Sequence, residues 1–290
     1  MFDYMEFTTR NIGFVTRAQQ DKLRNAHVFV CGTGGMGGSA ILALARAGIG
    51  RMTLCDIDDF EVSNLNRQVF CWLDTVGRHK AEATAEQLLR INPGMQLNVL
   101  KDDWTDHAGR IIEDADVVIN GTDDLGASLL LYRTARAKGK TVIDSYASPL
   151  PSVYVTRPGD SMPEERLGYP TQGVAWDNLT DEMREAAFTA EVMHVMTHSA
   201  SAFHIDLDMA GEVAAGRRSR MSFAPMVITS GMLMGYETIA LLLGQTNRTD
   251  CRGWFFNPYR ARVERPRNPL VVALIRPLVR RKLARMMAAG

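Results

Sequence analysis

The chain has 290 residues, of which 46% are hydrophobic and 23% are charged, and this balance is typical of globular proteins. It excludes disordered, collagen-like and fibrous classes. The nearest candidate for a membrane span, 226–243, is interrupted by polar residues, so no transmembrane segment is predicted. The N-terminal residues MFDYMEFTTR include acids and lack an apolar signal core, which predicts a cytoplasmic protein.

Charge is unevenly distributed along the chain, although 33 basic and 33 acidic residues cancel. Residues 260–290 hold nine Arg or Lys and one acid, Glu264, so this segment carries +8 and residues 1–259 carry −8. A basic tail of this kind can bind RNA, an anionic membrane or an acidic partner protein. The alternative is a peripheral helix packed on its own domain.

The first 150 residues alternate strand patterns with helix patterns. Strands are predicted at 27–31, 52–55, 97–100, 117–119 and 141–143. Helices are predicted at 39–47, 80–91 and 129–138. This alternation predicts an α/β fold with a Rossmann-like, mainly parallel sheet and helices on both faces.

The pattern changes after residue 149. Several prolines and glycines in 149–180 predict one strand, 152–156, followed by a long loop. Helices are predicted at 181–198 and 226–243, and a basic amphipathic helix after Pro277. The predicted organisation is a helical arm (1–24), a main domain with a helical and extended C-terminal portion (25–259) and a basic tail (260–290).

A glycine-rich turn follows the first strand and opens a helix. Gly32, Gly34 and Gly37 fit the pattern G-x-G-x-x-G, with Gly35 inside it. Such a turn lets the backbone approach phosphates, which then meet N–H groups at the helix N-terminus. Asp56 ends the second strand and can accept hydrogen bonds from ribose hydroxyls. These residues predict a nucleotide site and leave NAD and ATP both open.

Two cations and a pair of acids favour ATP over NAD. Arg67 and Lys80 are expected near the phosphates, where a triphosphate under attack needs more neutralisation than a dinucleotide. Asp123 and Asp124 follow the strand at 117–119 and are natural Mg²⁺ ligands.

Four motifs together resemble the ThiF/MoeB family, the bacterial relatives of ubiquitin-activating enzymes. They are GTGGMG, DIDDFEVSNLNRQ, VGRHKAEATAEQLLRINP and NGTDD. The resemblance is close over about residues 10–145 and weaker over 224–244. It implies adenylation of a carboxylate, commonly the C-terminus of a ubiquitin-like protein or a small peptide, with release of pyrophosphate.

The same resemblance assigns roles to residues of this chain. It implies that Asp56 holds the ribose within a nucleotide-binding stretch that includes Asp58, and that Asp123 binds Mg²⁺. Asn64, Arg67 and Lys80 would hold the phosphates. Arg10 resembles the family's N-terminal arginine that reaches the ATP of a partner subunit, which implies a homodimer.

The chain departs from the family at its cysteines. It has no CxxC pair, so no structural zinc is expected. No cysteine lies between Cys71 and Cys251, although many relatives carry an acyl-accepting cysteine near the equivalent of 216–220. The hypothesis is therefore an acyl-adenylate without an enzyme thioester, Cys71 being the one alternative nucleophile.

Three other functions stay open. The tail suggests adenylation and dehydration of a tRNA-borne carboxylate, the family resemblance allows a non-catalytic nucleotide-binding partner subunit, and the glycine turn allows an NAD oxidoreductase.

His194 and His198 have a spacing that can bind zinc, but Val195 stands where a metalloprotease needs Glu, so a polar or substrate-facing helix is favoured.

Overall fold

A single eight-stranded sheet organises the computed structural model, which describes residues 2–214, 217–246 and 248–288, with the side chains at 207, 214, 282 and 284–288 excluded. The strands are β1 His27–Cys31, β2 Arg51–Cys55, β3 Gln96–Leu100, β4 Val117–Asn120, β5 Val142–Asp144, β6 Ser152–Thr156, β7 Trp254–Asn257 and β8 Arg262–Glu264. Their order in the sheet is β3-β2-β1-β4-β5-β6-β7-β8.

The first five strands are parallel and the last three are added antiparallel. The chain runs outward from β1 to β2 and β3 on one side, then crosses to β4 on the other side. Ligands of open α/β sheets bind at such a switch point, outside the carboxyl ends of the strands. The mainly parallel sheet predicted from the sequence is confirmed, and its switch point lies between β1 and β4.

Helices cover both faces of the sheet. The described α-helices are α1 Tyr4–Phe7, α2 Arg17–Asn25, α3 Gly35–Ala47, α4 Lys80–Leu89, α5 Trp104–Asp114, α6 Leu125–Ala137, α7 Pro163–Leu167, α8 Asp181–His198, α9 Leu207–Ala214, α10 Ala224–Leu242 and α11 Pro269–Ala288. Val28 and Val30 of β1 pack with α2, α3, α4 and α10, whereas Phe29 and Cys31 pack with α5 and α6. This alternation is the period-two pattern of a strand buried on both sides.

Two helices start earlier than their apolar pattern predicts. α3 begins at Gly35 instead of residue 39, and α6 begins at Leu125 instead of residue 129. The first turn of α3 is glycine-rich and the first turn of α6 follows an aspartate cap, so neither start carries an apolar signal. In both cases the early start brings the helix N-terminus to the carboxyl edge of the sheet.

The sequence prediction missed α5, α7, α9, β7 and β8, and α7 lies where a long loop was predicted. The apolar positions of α5, at Trp104, Ala108, Ile111 and Ile112, have helical spacing and could have revealed it. β7 and β8 are short and pair only with their neighbours in the sheet. β8 lies inside 260–290, so the first residues of that range belong to the sheet.

Two apolar segments need separate mention. α10 is, within the described ranges, the one helix that by length and composition alone could cross a bilayer. It lies against α3, where a Cβ on Gly231 would come within 2.4 Å of the Met36 carbonyl oxygen.

α11 starts at Pro269 and continues through Pro277, so the predicted helix start after Pro277 is wrong. Proline at a helix start is common, but here a proline stands inside the helix.

Candidate functional site

The glycine-rich turn packs directly against the end of β4. Gly32 has φ +89°, and a Cβ on it would lie 2.4 Å from the carbonyl carbon of Gly121. A Cβ on Gly37 would lie 1.9 Å from the Gly32 oxygen. Only glycine fits at these two positions, so the turn is held tightly across the switch point between β1 and β4.

The turn leaves the N-terminus of α3 open to a ligand. Gly34 is the N-cap, and no side-chain hydrogen bond caps the helix. The first N–H groups of a helix have no partner within it and carry its positive dipole end. The N-terminus of α3 at the carboxyl edge of the sheet is therefore suited to an anion, and the predicted binding of phosphates there stays a prediction.

Asp56 reaches back to the same turn. Its Oδ2 accepts hydrogen bonds from the Thr33 N–H at 2.7 Å and the Thr33 hydroxyl at 3.0 Å. Its Oδ1 accepts from the Asp58 N–H at 3.1 Å. Asp56 thus fixes the shape of the turn, which the sequence did not indicate. The ribose-binding role stays a prediction for this carboxylate.

Lys80 opens α4 beside Asp58. Its Nζ donates to Asp58 Oδ2 at 2.8 Å, and its N–H donates to the Asp58 carbonyl at 2.9 Å. Lys80 is only 8% exposed, whereas the Asp58 side chain is mostly in solvent. Among the described residues Asp58 is the one ion-pair partner of this amine. Because an ion pair with an exposed carboxylate is weak, the amine is available to a more negative ligand.

Asn64 and Arg67 lie in the segment that connects β2 to α4. Asn64 is buried, and its Oδ1 accepts from the Glu61 N–H at 3.1 Å. The Arg67 guanidinium donates to the Ser63 carbonyl at 2.9 Å, and the residue is half-buried. Its Cγ would be 3.9 Å from a Cβ on Gly35, which places the side chain beside the first turn of α3.

Gln68 is a site residue that the sequence prediction missed. It is buried, its Nε2 would lie 3.5 Å from a Cβ on Gly34, and its Oε1 has no protein partner in the part of the chain described. Buried polar atoms rarely lack a partner, so this oxygen is suited to a ligand hydroxyl or amino group. It directly follows Arg67 in the family-like motif, which was the available signal.

Asp123 and Asp124 have different surroundings. Asp124 is the N-cap of α6, where its Oδ1 accepts from the Ala127 N–H at 2.7 Å and its Oδ2 pairs with Arg184 at 2.7 Å. Both Asp123 and Asp124 are exposed. In the described parts of the chain the Asp123 carboxylate has no hydrogen bond or ion pair, which leaves its oxygens to a hard cation such as Mg²⁺.

The arrangement fits ATP with Mg²⁺ better than it fits a dinucleotide. The open helix N-terminus, the Lys80 and Arg67 cations and the Asp123 carboxylate suit a metal-bound triphosphate. The unpartnered Gln68 Oε1 suits a nucleoside polar group. All of these groups lie on the segments that leave β1, β2 and β4.

Arg10 is far from these groups within its own chain. It lies exposed in a short 3₁₀ helix, Thr9–Asn11, and the neighbouring Asn11 donates to the carbonyl of Ala47 at the C-terminal end of α3. The glycine turn is at the other end of α3, which is about 20 Å long at 1.5 Å per residue. Arg10 could therefore act only on a partner's site, and this role stays a prediction.

The four cysteines are buried or partly buried free thiols. Cys31, Cys55 and Cys71 are buried, and Cys251 is partly buried. Burial raises the pKa of Cys71, despite the nearby Lys80 and Arg67, and burial also raises the pKa of Cys251. A thiolate nucleophile is therefore disfavoured at Cys71 and Cys251.

His194 and His198 do not form a metal site with their neighbours. Their ring centroids lie 4.6 Å apart, and His204 instead stacks on Tyr259. In the described ranges no three His, Cys, Asp or Glu side chains are grouped to hold a metal ion. Of the cysteine-equivalent region 216–220, residue 216 lies outside the described residues.

Comparison with known proteins gives a family match over most of the chain. The model described as the ThiF family matches residues 8–270. A tRNA threonylcarbamoyladenosine dehydratase from Haemophilus influenzae is 39% identical over 118 residues, which are 38% of this chain and 44% of that protein. The sulfur carrier protein ThiS adenylyltransferase of Escherichia coli is 37% identical over 107 residues, 37% of this chain and 43% of that protein.

The matched segments span less than half of the length of both relatives. Among solved structures, Escherichia coli MccB with ATP superposes with a TM-score of 0.60 at 20% identity, covering 87% of this chain and 67% of that one. A likeness at this identity shows that the fold is shared.

Proposed function

Because the chain belongs to the ThiF family, we propose that it is an enzyme that transfers AMP from ATP to a carboxylate. A carboxylate oxygen attacks the α-phosphorus, the bond between that phosphorus and the bridging oxygen breaks, and pyrophosphate leaves. The product is an acyl-adenylate. The protein's contribution is to hold the triphosphate and to neutralise charge on the leaving group.

The observation that carries this proposal is the set of phosphate-binding groups around the open N-terminus of α3. Lys80 is buried and forms an ion pair with the exposed Asp58, and Arg67 lies beside Gly35. These two cations match the two outer phosphates that depart. Asp123 would hold Mg²⁺, which supplies charge neutralisation for the phosphates when bound.

The proposed substrate is the C-terminal carboxylate of a ubiquitin-like protein or a small peptide. The named relatives include an adenylyltransferase of the sulfur carrier protein ThiS, which supports this class. We further propose that a nucleophile brought by a partner attacks the adenylate, since the buried thiols argue against an enzyme thioester. A folded Cys71→Ser variant should keep full activity, and complete loss of activity would overturn that part.

The first step is tested by exchange of labelled pyrophosphate into ATP, with small proteins ending in Gly-Gly as candidate substrates. Lys80→Met should abolish exchange and weaken ATP binding measured by calorimetry, because the amine is replaced by an apolar side chain of similar length. Lys101→Met is the matched control, since Lys101 pairs with Glu82 at the surface. Heat with NADH and none with ATP would refute the nucleotide assignment.

A second candidate substrate is a carboxylate carried by tRNA. The Haemophilus influenzae relative is named as a tRNA threonylcarbamoyladenosine dehydratase, and α11 exposes Arg276, Arg280 and Arg281. The test is tRNA binding at several salt concentrations by the full chain and by residues 1–268. A cut at 260 would be unsuitable, because it removes β8 from the sheet. Salt-sensitive binding that is lost with α11 would support this candidate.

A further inference from the structure

A second group of polar side chains lies beyond the end of β5, away from the glycine turn. We call Arg166, Tyr146, Tyr154 and His194 the Arg166 cluster. Tyr146 and Tyr154 stack with ring centroids 4.2 Å apart, and the His194 ring lies 6.0 Å from each. The Arg166 guanidinium carbon lies 5.9 and 5.8 Å from the two tyrosine rings. The fold thus packs one cation against two aromatic rings and a histidine.

Four polar atoms of this cluster are buried without a protein partner among the residues described. They are Arg166 Nε, Arg166 Nη1, Tyr154 OH and His194 Nε2. Tyr154 is 1% exposed and His194 is 8% exposed. An unsatisfied buried polar group destabilises the fold, and folded proteins pair nearly all of them. Four such atoms in one place indicate a site shaped for a ligand.

The cluster has no carboxylate paired with its cation. Arg166 donates from Nη2 to the Tyr146 hydroxyl at 2.7 Å, and no described Asp or Glu forms an ion pair with it. Asp144 is instead held by Tyr132 and Asn120, and Glu191 accepts from Tyr169. His194 adds no charge, because burial and then Arg166 lower its pKa to about 2. Glu191 also lies within electrostatic range of Arg166, but among the described residues no carboxylate accepts a hydrogen bond from the guanidinium. Its Nε and Nη1 are therefore available to a carboxylate ligand.

A carboxylate suits these donors better than a phosphate does. One guanidinium balances a monoanion, whereas a phosphate group with up to two charges would leave buried charge unpaired. The Arg166 N–H groups and the Tyr154 hydroxyl are donors to carboxylate oxygens. The tyrosine rings suit the apolar carbon that carries the group.

The cluster is near enough to the nucleotide groups for one substrate to reach both. Tyr154 of β6 pairs with Asp144 of β5. Asp144 pairs in turn with Asn120 of β4, and Asn120 pairs with Cys31 of β1, where the glycine turn begins. Neighbouring strands are about 4.8 Å apart, so the three steps from β6 to β1 span about 14 Å. An extended peptide of about four residues can bridge that distance.

We propose that the Arg166 cluster is a binding subsite for a carboxylate of the substrate other than the one that is adenylated. The proposal deepens the proposed function and rests on it for the identity of the ligand as substrate. Binding of a carboxylate at the cluster does not itself depend on adenylation, so the two can fail separately.

The test uses acetate as the carboxylate probe and the full chain with ATP at saturation, so that the turn before α3 is already filled. Thermal unfolding is followed in chloride, acetate and inorganic phosphate at equal ionic strength. Acetate should raise the unfolding midpoint above its value in chloride, because a ligand that binds only the folded state stabilises it. Phosphate should raise it less.

Two variants and one control show whether acetate raises the unfolding midpoint by binding at the Arg166 cluster. Tyr154→Phe removes only a hydroxyl without a partner, so the variant should fold and be at least as stable in chloride, yet lose most of the acetate effect. Arg166→Met should lose it entirely. Tyr236→Phe removes an exposed hydroxyl and should keep the full effect.

An acetate effect unchanged in Tyr154→Phe would overturn the subsite, and a phosphate effect larger than the acetate effect would overturn the choice of a carboxylate. Binding of ATP is measured by calorimetry on the same proteins. Absence of ATP binding with a Tyr154-dependent acetate effect would remove the proposed function and leave the subsite. ATP-dependent exchange without that effect would remove the subsite alone.

Discussion

Single atoms decide whether the glycine turn can form. Gly37→Ala would place a methyl group 1.9 Å from the Gly32 oxygen, so we expect a loss of at least about 1–3 kcal/mol of stability and of ATP binding. Gly109→Ala is the matched control, since Gly109 also lies within a helix and has no atom within 4 Å of the added Cβ. It should gain about 0.5–1 kcal/mol. Urea unfolding measures both, and equal stability of the two variants would contradict the packing argument.

Asp144 gives the fold a dependence on pH. Burial raises its pKa from 3.8 to about 7, against the hydrogen bonds from Tyr132 and Asn120, which lower it. The folded state thus holds the proton more tightly than the unfolded state. Stability from this group is complete below about pH 4 and is lost as the pH rises through about 7, a change of the order of 4 kcal/mol.

Asp144→Asn should remove that dependence, because the amide does not ionise. The free energy of unfolding of the variant relative to the native chain should rise between about pH 4 and about pH 7. Contributions from His27, His194 and His198, whose pKa values are lowered by burial, are common to both proteins and cancel. A difference that stays constant with pH would show that Asp144 does not titrate in this range.

At the residue scale, the sequence revealed groups whose chemistry is tied to a local motif. The structure places Gly32, Gly37 and Asp56 together at the switch point as the pattern predicts. Arg166 and Tyr154 gave no signal, since they join α7 to β6 across an intervening loop and neither stands in a motif. A contact between distant segments depends on packing that a short pattern does not contain.

Asp123 and Asp124, at the start of α6, are expected to have different roles. Asp124→Ala should cost about 1 kcal/mol of stability, because it removes the N-cap, and should also release Arg184 of α8. Asp123→Ala should leave stability unchanged and abolish Mg²⁺-dependent exchange. Chemical unfolding and pyrophosphate exchange on both variants check this. Equal effects on exchange without a stability difference would mean that both acids bind the metal.

At the element scale, the sequence predicted strands with buried, β-branched residues and helices with a clear apolar period. The strands at 27–31 and 152–156 and the helix at 181–198 have the predicted bounds. β7 and β8 were missed because four and three residues are too few for a period to emerge. Contacts with distant parts of the chain stabilise them instead. The Glu264 carboxylate of β8 accepts hydrogen bonds from the Ala200 N–H and from the Asn257 side chain of β7.

The whole molecule presents its N-terminal arm at the opposite end of α3 from the nucleotide groups. Tyr4 donates to the Gly48 carbonyl, which fixes the arm there and keeps Arg10 about one helix length from its own site. A role for Arg10 in catalysis therefore needs a second copy of the chain. The family resemblance suggested that role, but one chain alone contains no information on it.

Complementation between two inactive variants tests the shared site. Arg10→Ala and Lys80→Met should each lose pyrophosphate exchange as homodimers. In a mixed dimer, the Lys80→Met chain lends its intact Arg10 to the site of the Arg10→Ala chain, which retains Lys80. One site in each heterodimer is then complete, so an equal mixture that exchanges subunits freely should recover about a quarter of native activity. If the mixture stays inactive although heterodimers form, Arg10 does not act across the interface.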